Sequence, residues 1–167
     1  MFFTFATPGY NTQVKQKIML DLTEPQIAWI AGLLEGEGSF GIDQRSSKRY
    51  ANSKAPASPF IKIAMTDEDV IARLSSYLDK PYYLPKRLTV AGKQVYQLHI
   101  GEKQKVFWLL QLIRPYMGER RRAKIDECLS LLREWVDWVD QGGRSEQASY
   151  ANKIGQLKRS KPEGMIV

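Results

Sequence analysis

The chain has 167 residues, with 25 Lys and Arg against 18 Asp and Glu, giving a net charge of +7 and a pI of about 9.5. That length suits one domain able to bury its apolar surface without disulfides or structural metals, and the basic balance favours nucleic acid or an anionic membrane surface as partner. A single cysteine, Cys128, and a single histidine, His99, exclude an intramolecular disulfide framework, a multi-cysteine zinc site and a multi-histidine metal centre.

The first helix announces itself after an extension over residues 1–22. Thr23 stands as an N-cap, Pro25 lies in the first turn and Gln26 follows three residues on, so a helix should run from Glu24 to about Glu35. With a period of 3.6 residues, Ile27, Ile30, Leu33 and Leu34 form a bulky stripe, and Ala28, Ala31, Gly32 and Gly36 a small one. The bulky stripe can cover a sheet, while the small stripe admits a second helix, from another copy of the chain.

Strands follow. Phe40 and Ile42 alternate with Ser39, Gly41 and Asp43, and Ile61, Ile63 and Met65 alternate with Phe60, Lys62 and Ala64, both half-buried patterns of period two. Between them Arg45 to Ser58 is polar and basic, a loop or hairpin tip. Thr66-Asp67-Glu68-Asp69 opens a second helix that buries Val70, Ile71, Leu74 and Leu78 and ends before Pro81. Tyr82 to Val90 and Gln94 to Ile100, joined around Ala91-Gly92-Lys93, should pair as a second hairpin, with Pro85 marking an edge or bulge. Two helices close the pattern, Glu102 to Ile113 and Glu119 to about Asp140. The longer buries Ile125, Cys128 or Leu129, Leu132, Trp135 or Val136, and Val139. Gly142-Gly143 then leads into a basic tail over 142–167, leaving 23–141 as the core domain. The most apolar helical runs are well short of the roughly 20 residues that span a bilayer. The first residues, Met-Phe-Phe-Thr-Phe-Ala-Thr-Pro, lack a basic region and a long apolar one, so neither a membrane partner nor secretion is expected.

Chemistry concentrates at the end of the first helix, where Ile30 to Gly38 read Ile-Ala-Gly-Leu-Leu-Glu-Gly-Glu-Gly. A helix C-terminus carries partial negative charge, so Glu35 and Glu37 are disfavoured there by some tenths of a kcal/mol each, roughly, unless a cation compensates. A divalent metal is one such cation. The segment resembles the LAGLIDADG motif of homing endonucleases: Ala31, Gly32, Leu33 and Gly38 match it outright and the other positions are conservative variants. The element order also resembles that family's α-β-β-α-β-β-α domain, so the likeness spans roughly Thr23 to Asp140. It implies an α+β fold in which helices pack on a saddle-shaped antiparallel sheet.

The resemblance implies a site-specific DNA endonuclease that makes metal-dependent double-strand breaks and promotes intron homing. Glu37 and the carbonyl of Gly36 would hold Mg2+, with Mn2+ or Ca2+ able to substitute. Glu35 is then the weaker catalytic candidate, and tying helix ends together is its simpler role. Thr66 or Asp67 corresponds to the polar residue at the end of the second strand, unless the pair merely caps a helix. Arg120 corresponds to the basic residue at the start of the last helix; it cannot act as a base, but it can stabilise developing charge or simply lie solvated. One motif serves one strand, so cutting two implies a twofold homodimer crossing at Ala28, Ala31, Gly32 and Glu35. Double-stranded DNA would lie on the sheet face opposite the helices, where a β ribbon can enter the major groove. Parity with Glu37 puts Ser39, Gly41, Asp43, Arg45 and Ser47 there, joined by Lys62, Val95, Gln97 and Arg87. Lys48, Arg49 and Lys93 at hairpin tips would touch phosphates. Two other readings stay open: a maturase that binds intron RNA, and a DNA-binding regulator of the same fold without catalysis. The expected location is intracellular, in a bacterial or phage-infected cytoplasm or in an organelle.

Overall fold

In the computed structural model, residues 21–45 and 55–143 are described. Helix α1, Glu24–Glu37, starts as its capping residues dictate: Thr23 is the N-cap, and its backbone N–H donates to the Gln26 side-chain oxygen at 2.8 Å. The helix continues two residues past Glu35 and leaves at Gly38, whose N–H still donates to the Leu34 carbonyl. Only glycine fits that exit, because a Cβ there would stand 2.6 Å from the Leu34 carbonyl oxygen.

Strands β1 (Gly38–Asp43), β2 (Ser58–Met65) and β3 (Tyr96–Ile100) form one antiparallel sheet in the order β1-β2-β3. Phe40 pairs with Ile61, and Ile61 with Ile100; on the alternate positions Ser39 pairs with Lys62, and Lys62 with His99. The side-chain period of two therefore gives the sheet an apolar face and a mixed polar face. Helices α2 (Glu68–Leu78), α3 (Lys103–Ile113) and α4 (Glu119–Asp140), with a 3-10 turn at Arg114–Tyr116, join α1 over the apolar face. Ile61, Ile63, Leu98 and Ile100 of the sheet and Val106, Leu109, Leu110 and Ile113 of α3 are all essentially inaccessible. At about 1.5–3 kcal/mol per buried aliphatic side chain, this layer dominates the favourable side of folding.

Three sequence expectations change. Tyr82–Val90 is not a continuous strand, for it meets its partner only at isolated bridges, Tyr83 with Gln97 and Leu88 with Gln94. Five steps on one side face three on the other, so two extra residues lie in the stretch that holds Pro85, which has no N–H to donate to a ladder. The turn itself closes normally, with Gly92 at φ 75° and its N–H donating to the Thr89 carbonyl. Secondly, Arg45–Ser58 is not polar loop throughout. Ala55 is buried against Trp135 and Trp138 of α4, and the Trp135 indole donates to the carbonyl of Ala57, also buried, at 2.9 Å. Thirdly, Trp138 is buried on α4 while Val136 is 44% exposed, although Ile125, Cys128, Leu129, Leu132 and Trp135 point inward as their spacing predicts. No helix among the described residues is long and apolar enough to cross a membrane.

Candidate functional site

The end of α1 is held against the start of α4 by reciprocal hydrogen bonds. Glu35 accepts the backbone N–H of Gly118, the N-cap of α4, through its carboxylate at 3.2 Å. In return Arg121 donates one guanidinium nitrogen to the Glu35 carbonyl at 2.9 Å and the other to the Gly38 carbonyl at 2.8 Å. Such bonds satisfy carbonyls that a helix end leaves open, and the fixed positive charge offsets the negative end of the dipole. The compensating cation anticipated at this acidic terminus is therefore present in the chain itself. Arg121 is half-buried, its guanidinium carbon lies 5.6 Å from the Phe40 ring centre, and its Nε is buried without a partner among the described residues.

Glu37 is exposed on the last turn of α1, next to this latch. Glu35 has the tying role that the sequence allowed. Arg120 is also exposed, in the first turn of α4. Sequence reasoning selected Arg120 and passed over Arg121, although in a run of three arginines only the helical phase decides which one meets α1. Thr66 and Asp67 are exposed between β2 and α2; Asp67 occupies the N-cap position of α2 but its side chain makes no capping bond. Among the described residues, no group of three or more His, Cys, Asp and Glu could hold a metal ion. Cys128 is buried, and burial pushes its thiol up to about 11, so it is no nucleophile near neutrality.

On the exposed face of α1 stand Ala28, Gly32 and Gly36, spaced four apart. A Cβ built at Gly32 or Gly36 meets nothing within 4 Å among the described residues. Ala31 is different: it lies about 60° around the helix from Ala28, is 1% exposed, and belongs to the chain's own core. It is thus not available for the helix crossing expected of it.

The polar face of the sheet carries Ser39, Gly41 and Asp43 on β1, Lys62 on β2, and Gln97 and His99 on β3, as the register requires. Arg45 follows β1 but its guanidinium is forked onto the Asp43 carboxylate, the closest approach being 2.8 Å. Gln97 is only 8% exposed, because Tyr83 bridges to it and their side chains are hydrogen-bonded; Val95 is covered too. Gln97 is thus not presented to a base edge in this conformation. Arg87 and Lys93 are exposed on the second hairpin. His99, which sequence reasoning did not place on this face, packs its ring 5.2 Å from that of Phe60. Ser47, Lys48 and Arg49, like residues 1–20 and the basic tail from Arg144, lie outside the described residues.

No family sequence model matches this chain, and no curated protein matches it by sequence. The three-dimensional likeness is extensive. The homing endonuclease I-CvuI, solved in complex with its target in the presence of 2 mM Ca, superposes with a TM-score of 0.53 at 17% identity, over 86% of this chain and 87% of that one. An archaeal intron-encoded homing endonuclease complexed with DNA gives 0.52 at 14% identity, over 85% and 87%. The LAGLIDADG meganuclease I-CpaMI bound to uncleaved DNA gives 0.51 at 17% identity, over 67% of this chain and 38% of that one. The chain has the LAGLIDADG homing-endonuclease fold, the α+β architecture that the motif and element order anticipate.

Proposed function

We propose that the protein is a site-specific DNA endonuclease acting as a twofold homodimer, and that its cleavage of both strands promotes intron homing. The observation that carries this reading is the exposed carboxylate of Glu37 at the end of a helix along which Ala28, Gly32 and Gly36 form an exposed stripe of small residues, a Cβ at either glycine meeting nothing within 4 Å among the described residues. Crossing that stripe with its copy close to Gly36 would bring the two helix ends, and with them two Glu37 side chains, together about one axis. The similarity to DNA-bound homing endonucleases supports DNA as the substrate.

The donors available are oxygens alone: the Glu37 carboxylate and the Gly36 carbonyl beside it. Such a set suits a hard divalent cation, with the second copy, waters and phosphate oxygens completing the shell. When bound, Mg2+ supplies charge cancellation on the scissile phosphate and a water of lowered pKa. The chain's own residues do the rest. Glu37 holds its position at the helix end, Arg120 offers fixed positive charge at the start of α4, and the polar sheet face grips the duplex through Lys62, Arg87 and Lys93. An intact Glu37 favours catalysis over a purely regulatory role.

The test is selection of cleaved sites from randomised duplex DNA in Mg2+, by wild type and by Glu37→Gln. Wild type should enrich a long site with breaks in both strands. Glu37→Gln keeps the size but removes the charge that ligates a hard cation, so cutting should vanish while affinity for the selected site persists. Double-strand cleavage by Glu37→Gln at the wild-type rate, or no metal-dependent cleavage by wild type, would overturn the proposal.

A further inference from the structure

We propose that Arg121 is a positioning residue for the cation site, fixing the Gly36 carbonyl and the Glu37 carboxylate in one arrangement; this rests on the endonuclease reading above. Its two bonds fall on the carbonyls of Glu35 and Gly38, on either side of Gly36 and Glu37. The last turn of a helix is where backbone groups lack partners and fraying begins, and Gly36 adds freedom within that turn. A planar fork that spans the turn removes this freedom without touching the two residues between its anchor points. Glu35 makes the grip reciprocal through Gly118, so α1 and α4 constrain one another at this point.

The two bonds onto two separate backbone carbonyls make the arrangement geometric as well as electrostatic. A cation that only offset the helix dipole would serve as well from solvent. Lysine would supply the charge but cannot bridge both carbonyls with a planar fork. Charge and geometry also make opposite predictions about a bound metal. A guanidinium this near should repel a divalent cation, so deleting its charge should tighten metal binding. Loss of positioning should weaken it.

The experiment titrates Mn2+ alone into the full-length protein, reading the free ion by electron paramagnetic resonance, with thermal melting as the fold control. Wild type should bind Mn2+ and Glu37→Gln should lose it. Arg121→Gln and Arg121→Lys should each weaken binding roughly 10–100-fold, the usual consequence of removing a residue that orients metal ligands. Unchanged or tighter Mn2+ binding by folded Arg121→Gln overturns the inference. Should that variant fail to fold, Arg121→Lys decides alone, since it preserves the charge; wild-type Mn2+ affinity there overturns the inference equally. Failure of the two proposals is distinguishable. Wild type whose Mn2+ binding depends on Glu37 and Arg121 yet that cuts no DNA refutes the endonuclease reading only, whereas cleavage by Arg121→Lys with the wild-type Mg2+ requirement refutes positioning only. Wild type that binds no Mn2+ refutes positioning, and the endonuclease reading then stands or falls on cleavage alone.

Discussion

His99 stands on β3 with its ring against Phe60 and its cross-strand partner Lys62 alongside. Burial, and after it the charges of Lys80 and Lys62, lowers its pKa from the ordinary value of 6.5, with Glu102 and Asp43 acting weakly the other way. A lowered folded pKa means the neutral ring is favoured in the folded protein. Its contribution to stability is complete above the ordinary pKa and is lost as pH falls through the lowered one. A phosphate backbone laid on this face reverses the preference by stabilising imidazolium, so DNA binding should take up a proton. Affinity should therefore rise as pH drops from about 8 to about 6, the range in which histidine titrates. Fluorescence anisotropy across that range checks this, and His99→Gln should flatten the profile; a wild-type affinity independent of pH would place the phosphates elsewhere. At this scale the sequence is an uneven guide. Glu37 is readable because a short motif fixes it at a helix end. Arg121 is not, because Arg120, Arg121 and Arg122 are equivalent until the angle between α1 and α4 is known, and the burial of Gln97 is not readable because Tyr83 arrives from another segment.

Among the elements, α1 raises the sharpest question, since glycine inside a helix costs about 0.5–1 kcal/mol relative to alanine. Gly32 and Gly36 incur that cost on an exposed face where an added Cβ meets nothing among the described residues of the protomer. Packing among the described residues does not explain them; close approach of a second α1, as proposed above, would. Gly32→Ala should thus stabilise the isolated protomer by about 0.5–1 kcal/mol while weakening the dimer, and Gly32→Leu should separate the protomers altogether. Sedimentation equilibrium and melting measured together test both halves. A dimer that survives Gly32→Leu unchanged would remove α1 from the interface. Elements are readable from the sequence wherever a period is uninterrupted: α4 runs from Glu119 to Asp140 as its spacing predicts, and β1 and β2 alternate as expected. Reading fails where prolines intervene, at Tyr82–Val90, and where burial depends on a distant partner, as at Ala55 under the α4 tryptophans.

For the whole molecule, a net charge of +7 makes binding to a polyanion a matter of counterion release. If the dimer neutralises ~6 phosphates, the logarithm of its DNA association constant should fall against the logarithm of salt concentration with a slope of roughly −5. The cations on the sheet side will not contribute equally. Arg45 already shares its charge with Asp43, so part of its attraction for phosphate is satisfied within the chain, whereas Lys93 is exposed at the turn of the second hairpin without an ion pair among the described residues. Lys93→Ala should therefore weaken binding to every sequence alike and make the slope shallower by about one for each phosphate left unneutralised, about two for a twofold dimer. Arg45→Ala should change the slope little and relax preference at one position in each half-site, since a forked guanidinium that exchanges Asp43 for a guanine edge carries sequence information. Titrating potassium chloride against a fixed duplex, with wild type and both variants side by side, separates the two behaviours. A flat salt response in wild type would show that the interface is not dominated by phosphate contacts, and equal slopes for Lys93→Ala and wild type would remove the second hairpin from the DNA backbone.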